Sequence, residues 1–342
     1  MANFAKPSAP RFSVEVYQNE FLPQGGRDVH AIVTVTATGG GTVGSAVAAP
    51  HLYAPGQGPA AGVAIMVDCS GSMDYPPTKM RNARDATAAA RGVGTDWEVK
   101  EVTGIASALL GTADIVADPA GLAADFTQMM ETAMGTEVAD VALRLWTPVG
   151  TTVKFVKQVA PTVEELTGRR TEAGPRAGDY PTGSWGDESR DYHVCVEVPA
   201  ANIGQEMLAA RVSLVVPQPG EGAVQNLGSP GLVKAVWTDD MAASTSINPQ
   251  VAHYTGQAEL AQVIQQGLDL RKAGDFDGAT AKLGRAVQLA SVSGNADTAK
   301  LLAKVVDVVD ATTGTVRLKA KVADADEMTL ETRSTKTVRV KK

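Results

Sequence analysis

The chain has 342 residues, of which 44% are hydrophobic and 20% are charged, and its formal net charge at neutral pH is −7. This composition is typical of a globular protein with two or three domains, and it excludes disordered and fibrous chains. The acidic balance argues against nucleic acid or an anionic membrane as the main partner.

Two N-terminal segments alternate apolar and polar residues with the period of a β-strand. They are residues 11–17 (RFSVEVY) and 29–37 (VHAIVTVTA), and a Pro-Gln-Gly-Gly stretch separates them. The pattern predicts a hairpin of two half-buried strands. We therefore assign residues 1–55 to the N-terminal strands of a β-structure, in which the run GGGT at 39–42 is a linker.

Residues 63–73 (VAIMVDCSGSM) carry the most informative motif. The five apolar residues predict a strand that is buried on both faces, and Asp68, Ser70 and Ser72 follow it in a turn of small residues. Because open parallel sheets bind ligands outside the carboxyl ends of their strands, these three oxygens would lie at a binding edge. A carboxylate and two hydroxyls suit Mg²⁺, Mn²⁺ or Ca²⁺. The alternative is that they only form a turn and cap a helix.

The spacing Asp-x-Ser-x-Ser after such a strand resembles the metal-ion-dependent adhesion site of von Willebrand factor A (VWA) domains. The resemblance implies a domain that binds a partner protein through a divalent ion, with Asp68, Ser70 and Ser72 among the ligands. In an intact relative the ion would be Mg²⁺ or Mn²⁺. The resemblance also implies two further ligand loops, one with a threonine after a Gly-Gly pair and one with an aspartate.

After Ser72, a motif typical of the end of such a domain follows after too few residues. Residues 91–96 (RGVGTD) resemble a turn that comes late in VWA domains. Around this turn the sequence predicts helices at 79–90, 97–110 and 119–134 and a strand at 112–117.

A complete doubly wound domain needs on the order of 150 residues, and residues 56–136 offer about half of that. We therefore expect a truncated VWA-like α/β segment with a seam near Ala90/Arg91. The middle of the sheet and both further ligand loops would be missing. The metal site would then be incomplete and hold no tightly bound ion. In an alternative, Thr95 and Asp96 replace the lost ligands.

The strand pattern returns after this segment. Alternating residues bounded by Gly and Pro predict antiparallel strands at 138–146, 152–159, 191–198, 207–216 and 232–238. We expect a multidomain α+β protein in which an antiparallel β-sandwich, built from residues 1–55 and 137–250, is interrupted by the truncated α/β segment. This layout resembles bacterial VWA proteins with a sandwich scaffold, including the calcium-activated-chloride-channel-like group.

A Gly- and Pro-rich loop at 173–186 contains Tyr180 and Trp185. These aromatic residues either pack on the sandwich or form a partner-binding loop, since Trp and Tyr are common interface anchors.

The C-terminal third changes to helical periodicity. Helices are predicted at 257–273, 276–293 and 296–309, with Asp275 capping the second and Gly294-Asn295 preceding the third. Residues 267–290 resemble a single tetratricopeptide-type hairpin, which suggests a helical cap over 256–310. The tail, 311–342, has short β-like pieces at 316–319 and 337–340 and a basic, solvated end.

Catalytic motifs are missing from the sequence. It has no nucleophile elbow and no phosphate-binding Gly-Lys-Ser/Thr loop, and His30, His51, His193 and His253 share no metal-ligand spacing. We therefore expect a non-enzymatic interaction or scaffold protein of the VWA type with a protein partner. An alternative is a structural subunit that self-associates through the sandwich, independently of metal. As an enzyme it would use Asp68 or Ser70 as a nucleophile, but no general base can be named.

The sequence also carries indications of location. Only two cysteines occur, Cys69 and Cys195, so a disulfide framework is not expected. The first residues lack the apolar core of a signal peptide, and no continuous apolar run reaches the ~20 residues of a membrane span. We therefore expect a cytoplasmic protein.

Overall fold

A computed structural model describes residues 10–39, 89–93, 95, 97–108, 110–116, 118–134, 138–217 and 224–340. The strands are β1 (Arg11–Gln18), β2 (Phe21–Leu22), β3 (Asp28–Thr38), β4 (Ala89–Val93), β5 (Thr112–Val116), β6 (Val138–Trp146), β7 (Thr152–Ala160), β8 (Glu164–Glu165), β9 (Thr171–Gly174), β10 (Ala177–Trp185), β11 (Ser189–Glu197), β12 (Glu206–Pro217), β13 (Val224–Trp237), β14 (Val306–Asp310) and β15 (Thr315–Leu318). The helices are α1 (Val99–Ala108), α2 (Leu122–Met134), α3 (Met241–Thr245), α4 (Pro249–Lys272), α5 (Phe276–Val292), α6 (Ala296–Val305) and α7 (Asp324–Arg333), and Pro119–Gly121 and Thr167–Arg169 form 3₁₀ turns.

The chain divides into two compact units. The first combines Met1–Gly62, Met129–Gln158 and Glu165–Ala252, and the second combines Val63–Gln128, Val159–Glu164 and His253–Lys342. The fold is therefore mixed, with several sheets and helices. None of the described helices combines the length and the apolar character that crossing a lipid bilayer requires.

The first unit contains a five-stranded sheet in the order β1-β3-β11-β7-β8. Strands β1 and β3 pair antiparallel from Arg11–Thr38 to Gln18–Ala31, which confirms the predicted N-terminal hairpin. Strand β3 also pairs antiparallel with β11, which lies more than a hundred residues later in the chain. The N-terminal strands and the strands after residue 137 therefore belong to one sheet.

The first unit also contains a six-stranded sheet in the order β2-β13-β12-β6-β10-β9. Strands β12 and β13 pair antiparallel, as do β12 and β6, and β6 and β10, whereas the short β2 is parallel to β13. The predicted strands at 138–146, 152–159, 191–198 and 207–216 are confirmed to within two residues at each end. The strand predicted at 232–238 begins earlier, at Val224.

The two sheets contact each other where β1 approaches β13. A Cβ on Gly231 would lie 2.6 Å from Val16 Cγ2 and 3.1 Å from Val14 Cγ1, so this position accommodates only glycine at the observed spacing. Further along, the rings of Phe12 and Trp185 meet edge to face, with their centroids 5.8 Å apart.

The prediction of a loop at 173–186 is wrong, because most of this segment is strand β10. In the first six residues of β10 every second residue is buried, and Tyr180 and Trp185 are almost fully buried. These aromatics therefore pack in the core, as the first interpretation of this segment held, and the interpretation as an exposed partner-binding loop is wrong. Glycine and proline obscured the strand in the sequence, whereas its alternation of buried and half-buried residues is regular.

The second unit contains α4–α7 around an apolar core that includes Leu268, Leu283, Leu302 and Leu330. The predicted cap at Asp275 is confirmed, since its side chain accepts a hydrogen bond from the Gly278 amide at 2.9 Å. Asn295 caps the next helix in the same way and accepts a hydrogen bond from the Thr298 amide at 3.1 Å. The helices at 257–273, 276–293 and 296–309 are observed, although the first begins at Pro249 and the third ends at Val305.

The prediction of a solvated tail is wrong. After the β14–β15 hairpin the chain forms helix α7, in which Leu330 is fully buried and Glu331 is 3% exposed. Glu331 accepts a hydrogen bond from Lys272 Nζ at 2.7 Å. The piece predicted at 316–319 is found as β15, whereas 337–340 is not a strand. Helix α7 was missed because its sequence is polar and its stability comes from tertiary contacts.

The structure also corrects the predictions around the seam. Residues 89–93 form strand β4, so the helix predicted at 79–90 does not include its last two residues, and the turn predicted at 91–96 begins as a strand. The strand predicted at 63–67 and most of that helix lie outside the described residues. Beyond β4, the predicted helix, strand and closing helix are found as α1, β5 and α2.

Candidate functional site

The described part of segment 56–136 contains a β-α-β unit, which helix α2 follows. Strands β4 and β5 pair in parallel from Ala89–Thr112 to Val93–Val116, and α1 connects them. Helix α1 buries Val102, Ile105 and Ala106 at helical spacing, and these residues pack with Ala90 in a small core. A parallel pair with a helical crossover is the basic unit of a doubly wound sheet.

The carboxyl ends of β4 and β5 form the candidate binding edge, because parallel strands end on the same side of a sheet. Thr95 follows β4 and is exposed. Asp118 follows β5 and is also exposed, and its Oδ1 accepts a hydrogen bond from the Ala120 amide at 3.0 Å. Asp96, the other predicted substitute ligand, lies outside the described residues. The described edge thus offers one hydroxyl and one carboxylate.

The predicted metal ligands Asp68, Ser70 and Ser72 lie outside the described residues, so their positions stay predictions. Within the described ranges, no group of three or more His, Cys, Asp or Glu side chains is arranged to hold a metal ion. The described residues therefore do not provide a metal site by themselves.

Trp97 shapes the turn that leaves β4. Its indole lies directly over Gly92, and a Cβ at position 92 would overlap Cε2 and Cζ2 of the ring. The turn after β4 consequently depends on Gly92, although the sequence alone predicts this residue only as part of a turn.

We expect Gly92→Ala to destabilise the β4–β5 pair by about 1–3 kcal/mol, because the added methyl must displace the Trp97 indole. Hydrogen exchange of the β5 amides would measure the loss. The control is Gly104→Ala in helix α1, where an added Cβ meets nothing within 4 Å. This control should stabilise the helix by about 0.5–1 kcal/mol. Equal exchange in wild type and Gly92→Ala would contradict the role given to Trp97.

A carboxylate on β5 holds the C-terminal segment within the second unit. Asp114 Oδ1 accepts a hydrogen bond from Arg333 Nε at 2.8 Å, and Oδ2 accepts one from Lys336 Nζ at 2.7 Å. Burial raises the pKa of Asp114, but the hydrogen bonds from Lys336, Arg333 and the Ile115 amide outweigh burial and leave the pKa below its ordinary value. No local sequence pattern predicts this cluster, because residues 219 positions apart form it.

Two histidines on neighbouring strands form a second cluster, in the first unit. Nδ1 of His30 on β3 lies 3.1 Å from Nε2 of His193 on β11, and Nε2 of His30 lies 3.7 Å from the Cys195 Sγ. The Phe155 ring packs edge to face on His193, with centroids 4.9 Å apart. No motif spacing connects the two histidines, and only the register of β3 with β11 brings them together.

His193 and Cys195 of this cluster are buried and His30 is half-buried, and all three are uncharged at neutral pH. Burial lowers the pKa of His193 to about 4, with further contributions from His30 and Lys157. Burial also lowers the pKa of His30 and raises that of the Cys195 thiol to about 11. Cys195 is free and is not a reactive thiolate at neutral pH. These properties indicate a structural cluster in the sheet.

Known proteins share this fold. The structure described as von Willebrand factor type A from the bacterium Catenulispora acidiphila has a TM-score of 0.81 and 40% sequence identity, with 99% of each chain covered. The crystal structure of the ArnB paralog VWA2 from Sulfolobus acidocaldarius has a TM-score of 0.50 and 11% identity, over 94% of this chain and 97% of that one. The latter similarity concerns the fold alone.

The family model of the von Willebrand factor type A C-terminal domain matches residues 288–334, which include α6, the β14–β15 hairpin and α7. No curated protein matches the chain. On the strength of its whole-length relative, the chain belongs to the von Willebrand factor type A family.

Proposed function

We propose that this VWA protein is a non-enzymatic interaction protein that recognises a protein partner at the carboxyl edge of its α/β segment. Family membership carries the proposal, since VWA domains commonly mediate protein interactions. The β4–α1–β5 unit supports it, because such an edge is where open parallel sheets bind. We place the protein in the cytoplasm and expect neither nucleic acid nor a membrane as its partner.

We infer that the two sheets of the first unit are one β-sandwich, formed by residues 1–55 and 137–250 and interrupted by a truncated VWA segment at 56–136. The contact between β1 and β13 supports the sandwich. Residues 256–310 would form a helical region, and 311–342 a separate tail. The inferred seam near Ala90/Arg91 falls inside β4, whose five residues all pair in register with β5. A junction at this point would therefore leave a continuous strand.

We further propose that the metal site of Asp68, Ser70 and Ser72 is incomplete. An intact relative would use Mg²⁺ or Mn²⁺, but one carboxylate and two neutral hydroxyls fill only half of a six-coordinate shell and leave the other half to water. Affinity would then be low, and no ion would be tightly bound.

The expected result is that titration calorimetry with Mg²⁺ or Mn²⁺ detects no site tighter than about 1 mM, because hard cations need several charged oxygens for tight binding. Asp68→Ala is the matched variant and should give the same trace as the wild type at low metal concentration. A micromolar site that Asp68→Ala abolishes would show that the ligand set is complete.

Capture experiments with immobilised full-length protein test the proposed function. At Mg²⁺ concentrations high enough to fill a weak site, wild type should retain a specific partner that Asp68→Ala retains poorly, while the charge-matched variant Asp277→Ala on α5 behaves as wild type. Sedimentation of the same proteins with and without EDTA completes the test. Self-association that is unaffected by EDTA and by Asp68→Ala, with no specific partner, would instead support a structural subunit that assembles through its sheets.

A further inference from the structure

One face of the six-stranded sheet presents an unusual row of side chains. In register across the strands lie Leu232 on β13, Arg211 on β12 and Trp146 on β6, and Arg176 immediately precedes β10. Lys234 lies two residues beyond Leu232 and is exposed as well. We call these five residues the Trp146 face. Leu232 is 47% exposed, and Arg176 and Arg211 are exposed, so the face is open to solvent.

Both arginines of this face lie against the indole. The guanidinium carbon of Arg176 is 5.0 Å from the centre of the Trp146 ring, and that of Arg211 is 5.1 Å away. Strand β6 lies between β10 and β12, so the two guanidinium groups approach Trp146 from opposite sides. Stacking of this kind holds the groups in place while their N–H donors remain free for a ligand.

The neighbouring carboxylate on this side of the sheet is already used. Asp179 on β10 accepts two hydrogen bonds from Arg144 on β6, at 2.7 and 2.8 Å. In the described part of the chain, neither Arg176 nor Arg211 makes a hydrogen bond or ion pair to a carboxylate through its guanidinium group. The Trp146 face thus keeps three cationic side chains with unused donors, on a chain whose net charge is −7.

We propose that the Trp146 face docks an acidic, extended segment of a partner protein. The guanidinium groups of Arg176 and Arg211 both stack on the Trp146 ring. Guanidinium groups bind carboxylates through two parallel hydrogen bonds, so this pair suits an acidic ligand. The exposed Leu232 beside Arg211 offers a contact for an apolar residue between the carboxylates. From β13 to β10 the face spans three strand spacings of ~4.8 Å, a length that about five extended residues cover.

The same features disfavour nucleic acid as the occupant. Single-stranded nucleic acids bind such surfaces by stacking bases on free aromatic rings, and here the guanidinium groups already cover the Trp146 indole. A long polyanion would also be repelled by the overall negative charge of the chain, whereas a short acidic segment feels mainly the local cations.

This inference does not depend on the proposed metal edge. The Trp146 face belongs to residues after Val138, and its chemistry involves no divalent ion. Binding here should therefore be unaffected by EDTA and by Asp68→Ala, so that failure of one proposal leaves the other standing.

Fluorescence anisotropy with a labelled peptide of about eight glutamates, long enough to cross the face, tests the proposal on the full-length protein. The double variant R176A/R211A should weaken binding by about tenfold or more, as expected for the loss of two direct charge contacts. The control R11A/R317A removes two exposed arginines elsewhere and changes the net charge equally. It should weaken binding by less than about twofold, because exposed charges that do not contact the peptide are screened by salt. Thermal unfolding verifies that each variant is folded, and Arg211→Gln provides a milder second variant with the same expected direction.

Added salt should weaken the peptide complex, and an all-glutamine peptide should not bind. The proposal is overturned if R11A/R317A weakens binding as much as R176A/R211A, or if neither R176A/R211A nor Arg211→Gln changes it. It is likewise overturned if a short oligothymidylate binds more tightly than the glutamate peptide and depends on the same arginines. That last result would assign the face to nucleic acid.

Discussion

Trp185→Ala is expected to cause the largest loss of stability among single substitutions in the first unit, about 3–5 kcal/mol. The Trp185 side chain is fully buried on β10, and its Nε1–H donates a hydrogen bond to Thr182 Oγ1 at 2.9 Å. The Arg190 guanidinium lies 4.3 Å from the ring centre, and Phe12 contacts the ring edge. Alanine would leave a cavity beneath a cation that is largely buried.

Urea and thermal unfolding measure the effect, and the melting temperature of the first unit should fall by roughly 10 °C. Trp185→Phe is the control, because it fills most of the cavity but removes the Nε1–H donor. Its expected cost is only about 1–2 kcal/mol. If alanine and phenylalanine cost the same, the hydrogen bond rather than the packing of the ring would dominate at this position.

Mild acid is expected to produce the second large effect. Burial lowers the pKa of His193 to about 4 and lowers that of His30, while both would titrate near 6.5 in the unfolded chain. Between these values the unfolded chain binds more protons than the native protein, so the stability present above pH 6.5 is lost as the pH falls. For His193 alone the loss from pH 7 to pH 5 is about 2 kcal/mol.

The groups that face the histidine pair determine how it can be tested. His30 lies near Asp28, Lys154 and Cys195, and His193 lies near Lys157. H30Q/H193Q keeps polar side chains that do not titrate, so unfolding at pH 7 and pH 5 should differ much less than in wild type. His253→Gln, in the second unit, is the matched control. A wild-type protein that is equally stable at both values would mean that the pair is hydrated and titrates normally.

The success of prediction followed the strength of local patterns. Strands β1, β3, β6 and β12 were predicted with good bounds because each is a run rich in apolar residues with no glycine or proline inside it. Strand β10 was missed because Gly178, Tyr180 and Thr182 fill its buried positions, and small or polar residues weaken an apolar alternation. Helix α7 was missed because few of its residues are apolar, and contacts from Lys272 and Asp114 hold it in place.

The candidate site was predictable only in part. Helix α1 and strand β5 were predicted, whereas β4 was missed because its residues were assigned to the end of a helix and to a turn. The overlap of Trp97 with Gly92, the Asp114 cluster and the His30–His193 pair depend on tertiary approach. Local sequence patterns do not predict such contacts, because the register between distant strands determines which side chains meet.

The ion pairs of Asp114 constrain the order in which the protein can mature during translation. Asp114 leaves the ribosome long before its partner Arg333, which lies 219 residues later. At about 5–20 residues per second, the nascent β5 waits roughly 11–44 s for this partner to be synthesised. In the last part of that interval, after Ala252 has been synthesised, the first unit already has all its strands while Asp114 still lacks its partner Arg333. The second unit therefore matures last. A chain that terminates before Arg333 lacks this ion pair of Asp114, although the sheets of the first unit are intact.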